Sequence, residues 1–150
     1  MTVHSRPQLM KAIDVDRVKA AIEAAERATS GEVRVSVARF FWGSVRAAAE
    51  HAFSRLGMTK TKDRNGILFF IVPARKKFIV IGDEGIHAKV GQEFWECLAG
   101  LMSARFRKGE FTEGLVKAIG EAGRQLAAHF PYNAGFDVNE LADDVDFGEN

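Results

Sequence analysis

Five side chains have the chemistry to hold a cation or a phosphate: Glu32, Asp63, Asn65, Asp83 and Glu84. Calcium takes oxygen ligands from carboxylates, amides and carbonyls, and magnesium makes a similar demand with fewer protein donors. The stretch 62–91, KDRNGILFFIVPARKKFIVIGDEGIHAKVG, indicates how these groups would meet. Residues 66–72 are an unbroken apolar run, Lys77–Ile81 reads as the returning strand with Phe78, Ile79, Val80 and Ile81 apolar, and Pro73-Ala74-Arg75-Lys76 joins them. So short a turn makes the two strands antiparallel and brings their outer ends together. Asp63 and Asn65 are then expected beside Asp83 and Glu84 on one rim of a sheet, where calcium or magnesium would be the cofactor. The competing expectation is structural. Asp and Asn side chains cap turn backbone, and Gly66, Gly82 and Gly85 supply permissive backbone angles. His87 follows the rim closely enough to titrate or to act there as a general acid.

The chain is poorly equipped for hydrolysis by itself. It has no Asp-x-Asp-x-Asp-Gly calcium loop, no Cys-x5-Arg run around Cys97 and no Asp-x-Asp-x-Thr pattern. His4, His51, His87 and His129 lack the His-Glu-x-x-His spacing of zinc hydrolases. Any phosphatase chemistry would need water activated by a metal on Asp63 and Asp83. A second candidate surface is Phe40-Phe41-Trp42, three aromatics just before a helix cap. If exposed, they form a partner-binding patch. Arg75, Lys76 and Lys77 read as a charged turn protecting a sheet edge rather than as a nucleic-acid or lipid patch. The expected partner is therefore another protein and not nucleic acid.

These residues need a scaffold, and the chain can build one. Its 150 residues, 47% hydrophobic and 27% charged, fit one soluble globular domain. The lone cysteine, Cys97, allows no intrachain disulfide and is expected to be buried and inert. The first residues lack the apolar core of a signal peptide. The longest apolar run is far too short for a transmembrane segment, so the expected location is cytoplasmic. All 21 lysines and arginines precede residue 135, whereas residues 135–150 hold Asp137, Glu140, Asp143, Asp144, Asp146 and Glu149. Phe136, Val138, Leu141, Val145 and Phe147 in that acidic segment point to a tail that folds back on the body or docks on a partner. The division is an arm over residues 1–14, an α/β domain over 15–131 and an acidic tail over 132–150.

Periodicity predicts a helix capped at Asp14 or Asp16 and running to about Thr29. Residues 32–40 alternate, with Val33, Val35 and Val37 on a core face and Arg34 and Ser36 on a wet one. Ser44 caps a helix over about 45–56. The two strands of the hairpin follow, then an irregular segment with one helical turn near 86–90. Helices over about 92–107 and from about 110 or 112 to 130 complete the chain. The order α-β-α-β-β-α-α gives a three-layer α/β/α sandwich around a mixed sheet of three to four strands.

The ordered motifs resemble the TPM-domain family. They are SGEVRVSV (30–37), RLGM (55–58), KDRNGILFFIV (62–72), KKFIVIGDEG (76–85) and RFRKGEFTEGL (105–115). The family takes in thylakoid-lumen phosphatase-like proteins, photosystem-repair proteins and a receptor modulator. The resemblance spans about residues 15–130 and implies an α/β sandwich. Its members' links to calcium and to acid phosphatase activity make the five-residue rim the implied site. Two departures fall on that rim: Arg64 is added to the family's Lys-Asp-Asn-Gly, and Gly82-Asp83-Glu84-Gly85 replaces a longer, tyrosine-containing turn. Two functions follow. One is a binding or assembly module, linked through the family to envelope or membrane-protein maintenance. The alternative is a weak metal-dependent acid phosphatase.

Overall fold

The computed structural model describes residues 13–132 and 145–148. Helix α1, Val15–Glu26, starts where the Asp14 side chain accepts a hydrogen bond from the Arg17 backbone N–H. It is shorter than the predicted helix, and the alternating segment follows as strand β1, Glu32–Val37. Helix α2, Val45–Arg55, is capped by Ser44, whose side chain accepts from the Ala47 N–H. Strand β2 is Gly66–Val72 and strand β3 is Lys77–Gly82, joined by the 3-10 turn Pro73–Arg75. Helices α3, Glu84–Val90, α4, Gln92–Phe106, and α5, Phe111–His129, come next. A two-residue strand β4, Val145–Asp146, lies in the acidic segment.

The sheet order is β3-β2-β1-β4. β1 runs parallel to β2 and to β4, and β2 runs antiparallel to β3. The fold is thus α/β with a mixed four-stranded sheet, as the pattern of elements implied. Period-two alternation along β2 splits its side chains between two cores. Ile67, Phe69 and Ile71 join Val33, Val35 and Val37 in the larger core, packed with Ile22 of α1, Leu98 and Met102 of α4, and Leu115 and Ile119 of α5. Leu68, Phe70 and Val72 face the smaller core, with Ala49, Ala52 and Phe53 of α2 and Met58 beyond it. All seven β2 residues are buried, which is why this strand reads as a continuous apolar run.

Two expectations are corrected. The polar face of β1 is not wet: Arg34 is 4% exposed and Ser36 only 1%. β1 lies between β2 and β4, and ion pairs to Arg34 and a hydrogen bond from Ser36 to Asp146 take the place of solvent. Cys97 is exposed, on the outer side of α4 rather than in the core.

Candidate functional site

The hairpin brings the predicted rim together at the start of β2 and the end of β3. Asp83 N–H donates to the Gly66 carbonyl at 2.9 Å. Arg64 adopts a left-handed backbone, φ 51°, and this turns its carbonyl toward the start of α3. There it accepts from Gly85 N–H at 2.8 Å and Ile86 N–H at 3.3 Å. The Arg64 side chain closes the same junction. Its Nε and Nη2 donate to the two oxygens of Asp83 at 2.7 and 2.9 Å, and Nη1 lies 3.3 Å from Glu84 Oε1. The fork-on-carboxylate geometry is a strong form of charge-assisted hydrogen bond. The bonds to Asp83 raise the Arg64 pKa above its ordinary value, against the lowering effect of burial. Asp83 Oδ1 also accepts from the Glu84 N–H at 2.8 Å, at the cap of α3.

The other predicted ligands do not converge on this point. Asp63 is exposed on the turn. Asn65 is 1% exposed, and its Nδ2 donates to Ser30 Oγ at 3.3 Å. Glu32 is 2% exposed and belongs to a separate buried network. In that network Arg34 donates to Glu32 Oε2 at 3.0 Å and to Glu26 Oε2 at 2.8 Å. Glu26 Oε2 also accepts from the Val33 N–H at 2.7 Å, a donor on the stretch of β1 that the short β4 does not reach. Among the described residues, no three His, Cys, Asp or Glu side chains gather to hold a metal ion. Arginines engage three of the rim's four carboxylates, Asp83 and Glu84 through Arg64 and Glu32 through Arg34, and the fourth, Asp63, lies apart from them on the exposed turn, so the donor set does not converge as calcium or magnesium requires.

At the opposite end of β1 and β2 the aromatic segment is open. Trp42 is 84% exposed and Phe40 41% exposed. The two rings meet edge to face, with centroids 5.8 Å apart. Phe41 turns inward against the smaller core, and the Arg75 guanidinium lies 5.2 Å over its ring, within cation–π range. Arg39 is exposed beside Phe40. The corner therefore presents two aromatic rings beside the exposed Arg39, held by the end of β1 and the first turn of α2.

A sequence model of the TPM domain matches residues 3–125. The chain belongs to the TPM-domain family. The BA42 protein of the psychrophilic bacterium Bizionia argentinensis has a solved structure that superposes with a TM-score of 0.83 at 33% identity, covering 93% of this chain and 94% of that one. Two more distant structures share the fold. The N-terminal domain of a protein from P. gingivalis aligns at 17% identity with a TM-score of 0.62, over 89% of this chain and 99% of that one. The N-terminal domain of the Corynebacterium glutamicum protein cg2496 aligns at 11% identity with a TM-score of 0.59, over 74% and 70%. No curated protein matches the chain.

Within this TPM domain, three contacts went unread in the sequence. Asp146 on β4 accepts from Ser36 Oγ at 2.8 Å and from Arg55 Nη2 at 2.6 Å. Burial alone would raise the Asp146 pKa, but the Arg55 and Ser36 hydrogen bonds and the Arg55 charge hold it below the usual carboxylate value. Residues 145–146 thus fasten part of the acidic segment to the body. The remaining expectations for that segment, at residues 133–144 and 149–150, lie outside the described residues. His87, expected near the rim, instead accepts from the Trp95 indole N–H at its Nδ1, at 2.8 Å. Arg64 is the third case. Its charge was legible, but its clasp on Asp83 depends on a left-handed backbone that no local pattern announces. No helix among the described residues is long and apolar enough to cross a membrane.

Proposed function

We propose that this TPM domain is a non-catalytic binding or assembly module that meets a partner protein through the Phe40–Trp42 corner. The observation that carries the reading is the exposure of Trp42 and Phe40 as a contacting pair. Large aromatics of this kind anchor interfaces by filling pockets on a partner. The exposed Arg39 beside the rings favours a partner with an apolar pocket and an acidic border. Family context extends the role to maintenance of envelope or membrane proteins. The phosphatase and divalent-cation readings have less support: Asp83 and Glu84 are engaged by Arg64 and Glu32 by Arg34, and no nucleophile with a positioned base can be read from the sequence.

The test places a photo-crosslinking residue at position 42 of the full chain, with a control at the exposed Arg124 on α5, in cells of the native host. The reading expects a discrete protein adduct from position 42 that the control lacks and that Phe40→Ser suppresses. Adducts of equal pattern from both positions would refute it. So would tight binding to phosphatidylglycerol vesicles with no protein adduct. In parallel, hydrolysis of p-nitrophenyl phosphate at acid pH is expected to be absent. Activity lost in both Asp63→Ala and Asp83→Ala would instead support the phosphatase.

A further inference from the structure

Strand β3 is an outer edge of the sheet, and among the described residues it pairs only with β2. The Asp83–Gly66 hydrogen bond and the register pairing Gly82 with Ile67 fix the ladder's phase. In an antiparallel ladder, inward and outward backbone groups alternate residue by residue. Lys77, Ile79 and Ile81 therefore face β2, while Phe78, Val80 and Gly82 turn their N–H and C=O groups outward.

Exposed edges are normally blunted by charge, proline or a bulge. Here the only charge is Lys77 at the start, followed by Phe-Ile-Val-Ile-Gly. A groove of about 470 Å3 follows the whole strand, walled by Arg46 from α2 and by Trp95 and Ala99 from α4. Gly82 brings Trp95 close, since a Cβ there would sit 2.1 Å from the indole ring. At the start of β3 a second cavity, about 670 Å3, shares Phe78 with the groove. Lys76, Lys77, Arg107 and Lys108 line it around Phe106.

We propose that the β3 edge is a strand-addition site for an extended peptide segment of a partner protein, with apolar residues at alternate positions and acidic residues at the end that reaches the Lys76, Lys77, Arg107 and Lys108 cavity. The outward backbone groups supply the ladder and the groove takes alternate side chains, the division of labour in strand-addition recognition. The two walls stand on either side of the edge, so the groove admits one strand. The basic cavity sets which end of the peptide lies there. This surface is separate from the aromatic corner, and its test does not depend on that corner.

The experiment selects a displayed library of random heptapeptides on the full chain, then titrates the synthetic winners into 15N-labelled protein. In the free chain the amides of Phe78, Val80 and Gly82 should exchange with deuterium fast, and those of Ile79 and Ile81 slowly. Bound peptide should slow the first three. Val80→Pro removes an outward N–H without touching the β2 ladder and should abolish binding. Ala99→Trp fills the groove from the helix and should do the same should the proline variant fail to fold. Lys77→Glu with Lys108→Glu should weaken the acidic-ended winners by roughly tenfold or more. The proposal is overturned if no alternating sequence is selected, or if winners leave the three outward amides unprotected. Slow exchange of those amides in the free chain would also overturn it. Release by deleting residues 1–12 would give the edge to the chain's own arm, and release on dilution of a dimer would give it to a second copy.

Discussion

Strand β2 begins at one kind of surface and ends at another. At its start, Arg64 pairs with both Asp83 and Glu84, and the backbone of the turn is hydrogen-bonded to the first turn of α3. At its end, the neighbouring loop leaves Trp42 and Phe40 in solvent beside the exposed Arg39. The polar end looks like a binding site in the sequence, yet Asp83 and Glu84 are held by Arg64. The aromatic end could pass for core, yet two of its three rings, Phe40 and Trp42, stay exposed. Composition names the groups a site would use. Whether they are free is decided by what the fold places beside them.

The largest effect should come from forcing the closed end open. A Cβ at Gly85 would lie 2.1 Å from the Asp63 carbonyl oxygen and 2.6 Å from that of Arg64, both backbone atoms. Gly85→Ala should cost about 3 kcal/mol in urea unfolding, because the two loops must separate. A cost near zero would mean that the junction is loose and the comparison mistaken.

Next is Asp83→Ala, which removes the α3 cap and strands the Arg64 charge. A loss of about 2 kcal/mol is expected, and Asp83→Asn should recover the cap but not the ion pair. Equal losses for Ala and Asn would assign the whole effect to the charge.

Smaller again is the β4 fastener. Asp146 has a depressed pKa in the folded chain. Its contribution is therefore full above the unfolded carboxyl value of about 3.9 and is lost as pH falls through the lower folded value. Asp146→Asn should cost about 1 kcal/mol near neutral pH and nothing once the wild-type carboxyl is protonated. A cost that persists in acid would show that the side chain packs rather than pairs.

Smallest of all is Trp42→Ser. An open ring contributes little to folding, so unfolding should shift by less than about 0.5 kcal/mol, while the position-42 adduct partner is lost in pull-down. A large loss of stability would mean that the ring packs in solution and the corner is not free.

Much of the scaffold was legible because its signals are local. The Asp14 and Ser44 caps, the continuous apolar β2 and the core spacing of Leu98, Met102, Leu115 and Ile119 each follow from one segment's own pattern. The helix between β1 and β2 allows the parallel pairing that the sheet adopts. What could not be read was long-range polar pairing. Arg34 and Ser36 scored as a wet face because their partners, Glu26 and Asp146, sit in other elements. Glu32 and Arg34, two apart and opposite in charge, were a signal for a shared face that went unused. Cys97 lies in an apolar run, but its place on α4 turns it outward. At the candidate site, proximity of the two loop ends was legible. The Arg64 clasp was not, because it needs one residue in a left-handed conformation and a side chain that reverses over its own turn.

The closed rim is the central claim, and a calcium titration of the 15N-labelled full chain tests it most directly. With Arg64 on Asp83, the amides of residues 63–66 and 83–85 should show no saturable shift up to roughly 1 mM calcium, the range of weak calcium modules. Saturable movement of those amides in the wild-type chain would contradict the account and return the rim to the role of a metal site.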